Sequence, residues 1–160
     1  EKGLWGSNYY SNHPVFPLNK TTVDLNIDMI GRIDASRKQG DSTNYVYVVG
    51  DDKISSDLKV ISEGQNNLYT KMELDYKFND PNDKNRIYFR SDHYNFAKHN
   101  IPVIFYFSGV HEDYHKPGDD AKKIAYRKME RITRLVFHTA WEVANRPEKL
   151  KVDVVSDFKN

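Results

Sequence analysis

The chain contains no cysteine. Disulfide scaffolds, thiolate-held zinc and thiol catalysis are therefore excluded, while the compartment stays open. No charge sign dominates: 24 Lys and Arg stand against 23 Asp and Glu, for a net +1. That leaves no strong field to recruit nucleic acid or an anionic membrane, and neither is expected as a partner. No apolar run approaches the roughly 18 residues of a membrane span. Internal repeats and low-complexity tracts are also missing. What is present is 38% hydrophobic residues with 13% aromatics, too much for a disordered chain. The length of 160 residues suits one ordinary domain.

Patterning predicts strands alternating with helices. Residues 22–30 alternate apolar with polar up to Gly31, residues 44–50 are rich in β-branched and aromatic side chains, and residues 71–78 alternate again. Residues 102–107 form a nearly continuous apolar run, as in a strand buried on both faces. Residues 1–20 read as a short helical turn running into a loop, with Trp5, Tyr9 and Tyr10 used for packing. Ser55 or Ser56 can cap a helix through about residue 67, with Leu58, Ile61, Gln65 and Leu68 on one face. Ser91 or Asp92 can cap a short helix through His99. A long helix over about 122–145 carries Met129, Ile132, Val136, Ala140 and Val143 on one stripe and stops before Pro147. His13, His99 and His138 read as structural. The charged segment 148–160 is expected to be peripheral. Such an order argues for a layered α/β fold.

Three places concentrate chemistry. The loop after residue 107 packs His111, Glu112, Asp113, His115, Asp119 and Asp120 into one stretch, and open α/β sheets place sites at strand ends. Imidazole with carboxylate suits zinc, manganese or cobalt; a solvated, charge-rich turn is the plainer alternative. Asp28 lies beside Met29 and Ile30 at a strand end, where a carboxylate calls for a partner, ideally a cation. It can equally be an edge-strand side chain facing water. Arg90, directly before a helix start, can hold a substrate carboxylate or carbonyl, or simply be a surface arginine beside a cap.

Four stretches then occur in order: Glu1-Lys-Gly-Leu-Trp-Gly-Ser7, Asn26-Ile-Asp-Met-Ile-Gly-Arg32, Arg90-Ser-Asp-His-Tyr-Asn-Phe96 and Asp113-Tyr-His-Lys-Pro-Gly-Asp119. Together they resemble the later motifs of the M28 family of zinc metallopeptidases, the co-catalytic two-zinc aminopeptidases. The resemblance runs from Glu1 to about Asn145. It implies a three-layer α/β/α sandwich around a mixed sheet, here lacking its N-terminal half. Residues 1–147 would be the C-terminal portion of the catalytic domain and 148–160 a charged tail.

The resemblance also implies roles. Glu1, Asp28 and His115 match metal ligands, Tyr114 matches an oxyanion donor, Arg90 matches an arginine near the substrate, and Asp119 is placed to orient an imidazole. The cofactor implied is zinc, two ions per intact site. The partner is a peptide cleaved at its N-terminus, and the location is periplasmic or extracellular. The family's first zinc histidine and bridging aspartate, in a His-x-Asp motif, precede its Glu-Glu pair, and the base glutamate would precede Glu1. The chain alone is therefore expected to be inactive, to hold at most one metal weakly, and to risk self-association through an exposed sheet. Alternatives on the same fold are a glutaminyl-cyclase-like acyltransferase and a non-catalytic, receptor-like domain.

Overall fold

A computed structural model describes residues 2–157. Four strands, β1 (Asp24–Ile27), β2 (Tyr45–Val49), β3 (Glu73–Asp75) and β4 (Val103–Phe107), form one sheet in the order β1-β4-β2-β3. β1 runs parallel to β4, β4 antiparallel to β2, and β2 parallel to β3, so the sheet is mixed, as expected. Every residue of β2 and β4 is buried. Their side chains alternate between two cores. Val46, Val48, Ile104 and Tyr106 face one core, and Tyr45, Tyr47, Val49, Val103, Phe105 and Phe107 face the other.

The first core is covered by two helices, α2 (Ser56–Gln65) and α4 (Tyr126–Asn145), through Leu58, Ile132, Leu135, Val136 and Val143. The second is covered by a thinner layer of short turns and α3 (His93–Ala97), through Phe78, Ile87, Tyr88 and Ala97. The result is an α/β/α arrangement with one substantial and one thin outer layer. α1 (Trp5–Asn12) is a helix of 8 residues, longer than the single turn expected. It docks on α3, where the Asn95 amide donates to the Leu4 carbonyl and to Ser7 Oγ.

Several boundaries differ from the sequence reading, for local reasons. β1 ends at Ile27 because Met29 takes a left-handed φ of 57°. β3 shrinks to 73–75 because Lys71 is left-handed and 77–79 turn. α4 begins at Tyr126, after a separate turn over Ala121–Lys123. Trp5 and Tyr9 are exposed rather than packed, at 70% and 67%, and Leu68 is exposed at 68%. Ser55 caps α2, as expected, by accepting from the Asp57 N–H at 3.3 Å.

Residues 148–157 are mostly exposed, but two of them anchor the segment to the fold. Leu150 is buried, and the Asp153 carboxylate accepts from Ser56 N at 2.9 Å and Ser56 Oγ at 2.7 Å at the start of α2. A carboxylate there complements the helix dipole and satisfies an orphan donor. Those same Ser56 bonds lower the Asp153 carboxyl below its ordinary range. No helix among the described residues is long and apolar enough to cross a membrane.

Candidate functional site

β1 and β4 are parallel, so their C-terminal ends share one rim of the sheet. The loop 28–34 leaves β1 there, and the loop 108–120 leaves β4. The two are pinned together. Ser108 Oγ lies 2.6 Å from the Met29 carbonyl and 2.7 Å from the Arg32 carbonyl. Tyr45 Oη donates to the Ser108 carbonyl at 2.6 Å and accepts from Asp34 N at 2.8 Å. Gly109 has φ +99°, and a Cβ there would lie 2.3 Å from that of Asp34, so only glycine allows this close approach.

Asp28 is exposed at this rim. Its Oδ2 accepts from Ser91 Oγ at 2.8 Å, and Ser91 Oγ in turn accepts from Asn26 Nδ2 at 2.9 Å. Asn26 and Asp28 share a strand face because side chains alternate. Ser91 is buried and does not cap α3, as the sequence suggested it might; its hydroxyl serves Asp28 instead. Asp92 is diverted likewise, accepting from Ser7 Oγ. No cation pairs with Asp28 among the described residues, and its Oδ1 is left without a bond. One step further along the same face, Asp24 is enclosed, and burial followed by the nearby Asp92 charge pushes its carboxyl up to about 7. His93, fully buried against Phe105 at 4.8 Å, is driven down to about 3 by burial and stays neutral.

The second loop carries Tyr114 and His115, both exposed, with rings stacked at 3.8 Å. His115 holds a left-handed φ of 55°. Neither of its ring nitrogens has a hydrogen bond among the described residues. Asp119 does not orient it. The Asp119 carboxylate accepts from Arg32 Nη1 at 2.7 Å and lies 3.8 Å from His111 Nε2. Asp113 accepts from Arg32 Nη2 at 2.6 Å and Lys123 Nζ at 2.8 Å, which hold its carboxyl down at about 2, with Lys123 the larger cause.

His111, Asp113 and Asp119 are the one group of three metal-ligand types gathered within 4.8 Å among the described residues. His111-Glu112-Asp113 is also a His-x-Asp triplet. Yet two cations already neutralise its carboxylates, so a metal ion would have to displace them. Asp28 and His115 have the opposite character: a carboxylate and an imidazole of the right chemistry for zinc, on one rim, with free ligand atoms. They do not form a three-ligand group between themselves, and Glu1 lies outside the described residues. Arg90 is exposed and lines a cavity of about 350 Å³ together with Val110.

The sequence model of peptidase family M28 matches residues 1–140. The chain belongs to peptidase family M28. Solved structures agree in fold with this M28 segment. BSAP, a zinc aminopeptidase from Bacillus subtilis, is 22% identical with a TM-score of 0.64, over 98% of this chain and 36% of that one. The LapA aminopeptidase of Legionella pneumophila is 18% identical with a TM-score of 0.66, over 91% and 37%. An aminopeptidase from Aneurinibacillus sp. strain AM-1 is 20% identical with a TM-score of 0.65, over 96% and 33%. The M28 chain thus spans about a third of the length of these proteins. Comparison with curated proteins gives no match.

Ser91 and Asn26 are the site residues that the sequence reading passed over. Their signal was available: Asn26 sits two residues before Asp28 on a strand, and Ser91 follows directly after Arg90.

Proposed function

We propose that this chain supplies the C-terminal part of a zinc-dependent aminopeptidase site, with Asp28, His115 and Glu1 as metal ligands. The observation that carries this reading is the state of Asp28. It stands at the rim shared with the Tyr114–His115 loop, fixed through one oxygen by a neutral hydroxyl, with no bond to the other oxygen among the described residues. A neutral partner orients a ligand without cancelling the charge that attracts a metal. A zinc ion held there would act as a Lewis acid on a peptide carbonyl and lower the pKa of water.

The chain's own residues then have distinct tasks. Ser91 and Asn26 hold Asp28 in one orientation. Tyr114 Oη donates to the oxygen that gains charge at the scissile carbon. Arg90 binds the substrate beside the site. Nothing described here takes the role of the base glutamate, so the 160 residues alone are assigned no peptidase activity. Hydrolysis of leucine-, alanine- and glutamate-p-nitroanilide in the presence of zinc is the test. The chain alone is expected to give background rates. A longer protein carrying this segment after His-x-Asp and Glu-Glu motifs is expected to be active, and to lose that activity on Asp28→Asn or His115→Ala. Full activity in both variants would refute the assignment.

A further inference from the structure

The cavity beneath Arg90 is built for charge of one sign. It lies between the two loops of the rim: Arg90 directly precedes Ser91, the residue that holds Asp28, and Val110 directly precedes His111. Phe78 and Ile87, both buried, form an apolar wall, and Val110 forms the exposed lip. Such walls suit methylene groups.

Two cations line this space, Arg90 and Lys77. Neither has an ion-pair partner among the described residues. Lys77 Nζ lies 4.9 Å from the Phe78 ring centroid, and its charge acts on the Asp34 carboxylate without forming an ion pair with it. The single acidic lining residue, Asp34, is buried and committed. Its Oδ1 accepts from Ser36 N at 2.8 Å and Ser36 Oγ at 2.6 Å, and its Oδ2 accepts from Tyr47 Oη at 2.9 Å. Two cations against one committed carboxylate leave the lining with a formal charge of +1. A cationic side chain entering here would meet like charge. A purely apolar one would cover Arg90 and Lys77 and leave them unpaired, at a desolvation cost. A carboxylate on a short methylene stem satisfies both the wall and the guanidinium, whose fork donates to it bidentately.

We propose that this cavity receives a carboxylate of the peptide substrate, making the enzyme selective for substrates whose first residue is Glu or Asp. The inference rests on the peptidase reading above and specifies its substrate class. The same chemistry could come from the C-terminal carboxylate of a dipeptide, so the test separates the two sources.

The experiment is a ¹⁵N NMR titration of the chain with three peptides: Glu-Ala-Ala-NH₂, Leu-Ala-Ala-NH₂ and Leu-Ala with a free C-terminus. The glutamyl amide is expected to shift the Arg90 Nε–H and Val110 amide signals and to bind about tenfold more tightly than the leucyl amide. Arg90→Gln is expected to erase that preference, and Lys77→Met to reduce it. Both side chains are exposed, so both variants should fold, and unchanged signals elsewhere in the spectrum verify this. Tightest binding by free Leu-Ala would support the carboxylate site with the C-terminus as its source. Equal binding of all three peptides, or a preference that survives Arg90→Gln, would overturn the proposal. The two readings fail separately. A longer M28 protein carrying this segment that hydrolyses Leu in preference to Glu substrates would overturn this inference alone. A glutamyl preference in binding without any peptide hydrolysis by that protein would overturn the peptidase reading alone.

Discussion

Two acidic neighbourhoods share one rim of the sheet and differ in their company. Asp113 and Asp119 sit with an imidazole, His111, and have the compactness of a metal site. Both are bound by Arg32, and Asp113 also by Lys123. Asp28 pairs with no cation among the described residues; a serine hydroxyl holds it. Proximity of ligand types is therefore a poor guide by itself. What separates a structural ion network from a cation site is whether the negative charge is already spent. By that measure the sparse pair, Asp28 with His115, outranks the dense cluster.

The comparison can be broken or sharpened by mutation. The largest effect is expected from removing a ligand: Asp28→Asn or His115→Ala should weaken zinc binding by roughly 10- to 100-fold in calorimetric titration, while His111→Ala should barely change it. Next comes Arg32→Met. It frees Asp119 and one oxygen of Asp113 beside His111, leaving Lys123 on the other, and should create a zinc site there, raising affinity about tenfold, detectable as a second binding event. No new event would mean that Arg32 is not what keeps metal away. Ser91→Ala should cost about tenfold or somewhat less in zinc affinity, because Asp28 keeps its charge but loses its orientation. Unchanged affinity would reduce Ser91 to a packing residue.

A smaller effect concerns buried carboxylates away from the rim. Asp51 is fully buried, and neither of its oxygens has a hydrogen-bond partner. Burial, with Asp52 and Glu63 adding to it and Lys59 opposing, pushes it up to about 7, as burial does for Asp24. A carboxyl raised from its ordinary 3.8 contributes stability at low pH that is lost as pH climbs through about 7. Denaturant midpoints should therefore fall between about pH 4 and about pH 7, and Asp51→Asn should flatten that slope by about 1–3 kcal/mol. A slope unchanged by the substitution would mean Asp51 is solvated. Asp153→Ala should lower the denaturant midpoint slightly, because Ser56 N at the start of α2 loses its acceptor while the Ser55 cap stays.

Much of the fold was legible because burial leaves a simple imprint. β2 and β4 are apolar on both faces, and α4 repeats its core residues every three to four positions. The shorter strands were over-read because Met29 and Lys71 adopt left-handed backbone that no pattern announces in a non-glycine residue. At the site, residue types and strand ends could be read, but partners could not. Arg32 reaches Asp113 across 81 positions of sequence, and Lys123 joins from a turn before α4. Ser91 looked like a helix cap because that is where serine commonly works. Only the fold brings β1 close enough to redirect its hydroxyl to Asp28.

The most direct measurement follows the histidine ring signals of the chain by NMR as zinc is added at pH 7. His111 and His115 lie four residues apart in one loop and report separately on the two neighbourhoods. The His115 ring resonances are expected to shift and broaden with the first zinc, and the His111 ring to stay unchanged beside Asp119. The reverse order, with His111 responding first, would contradict the account and make the His111–Asp113–Asp119 cluster the metal centre of this chain.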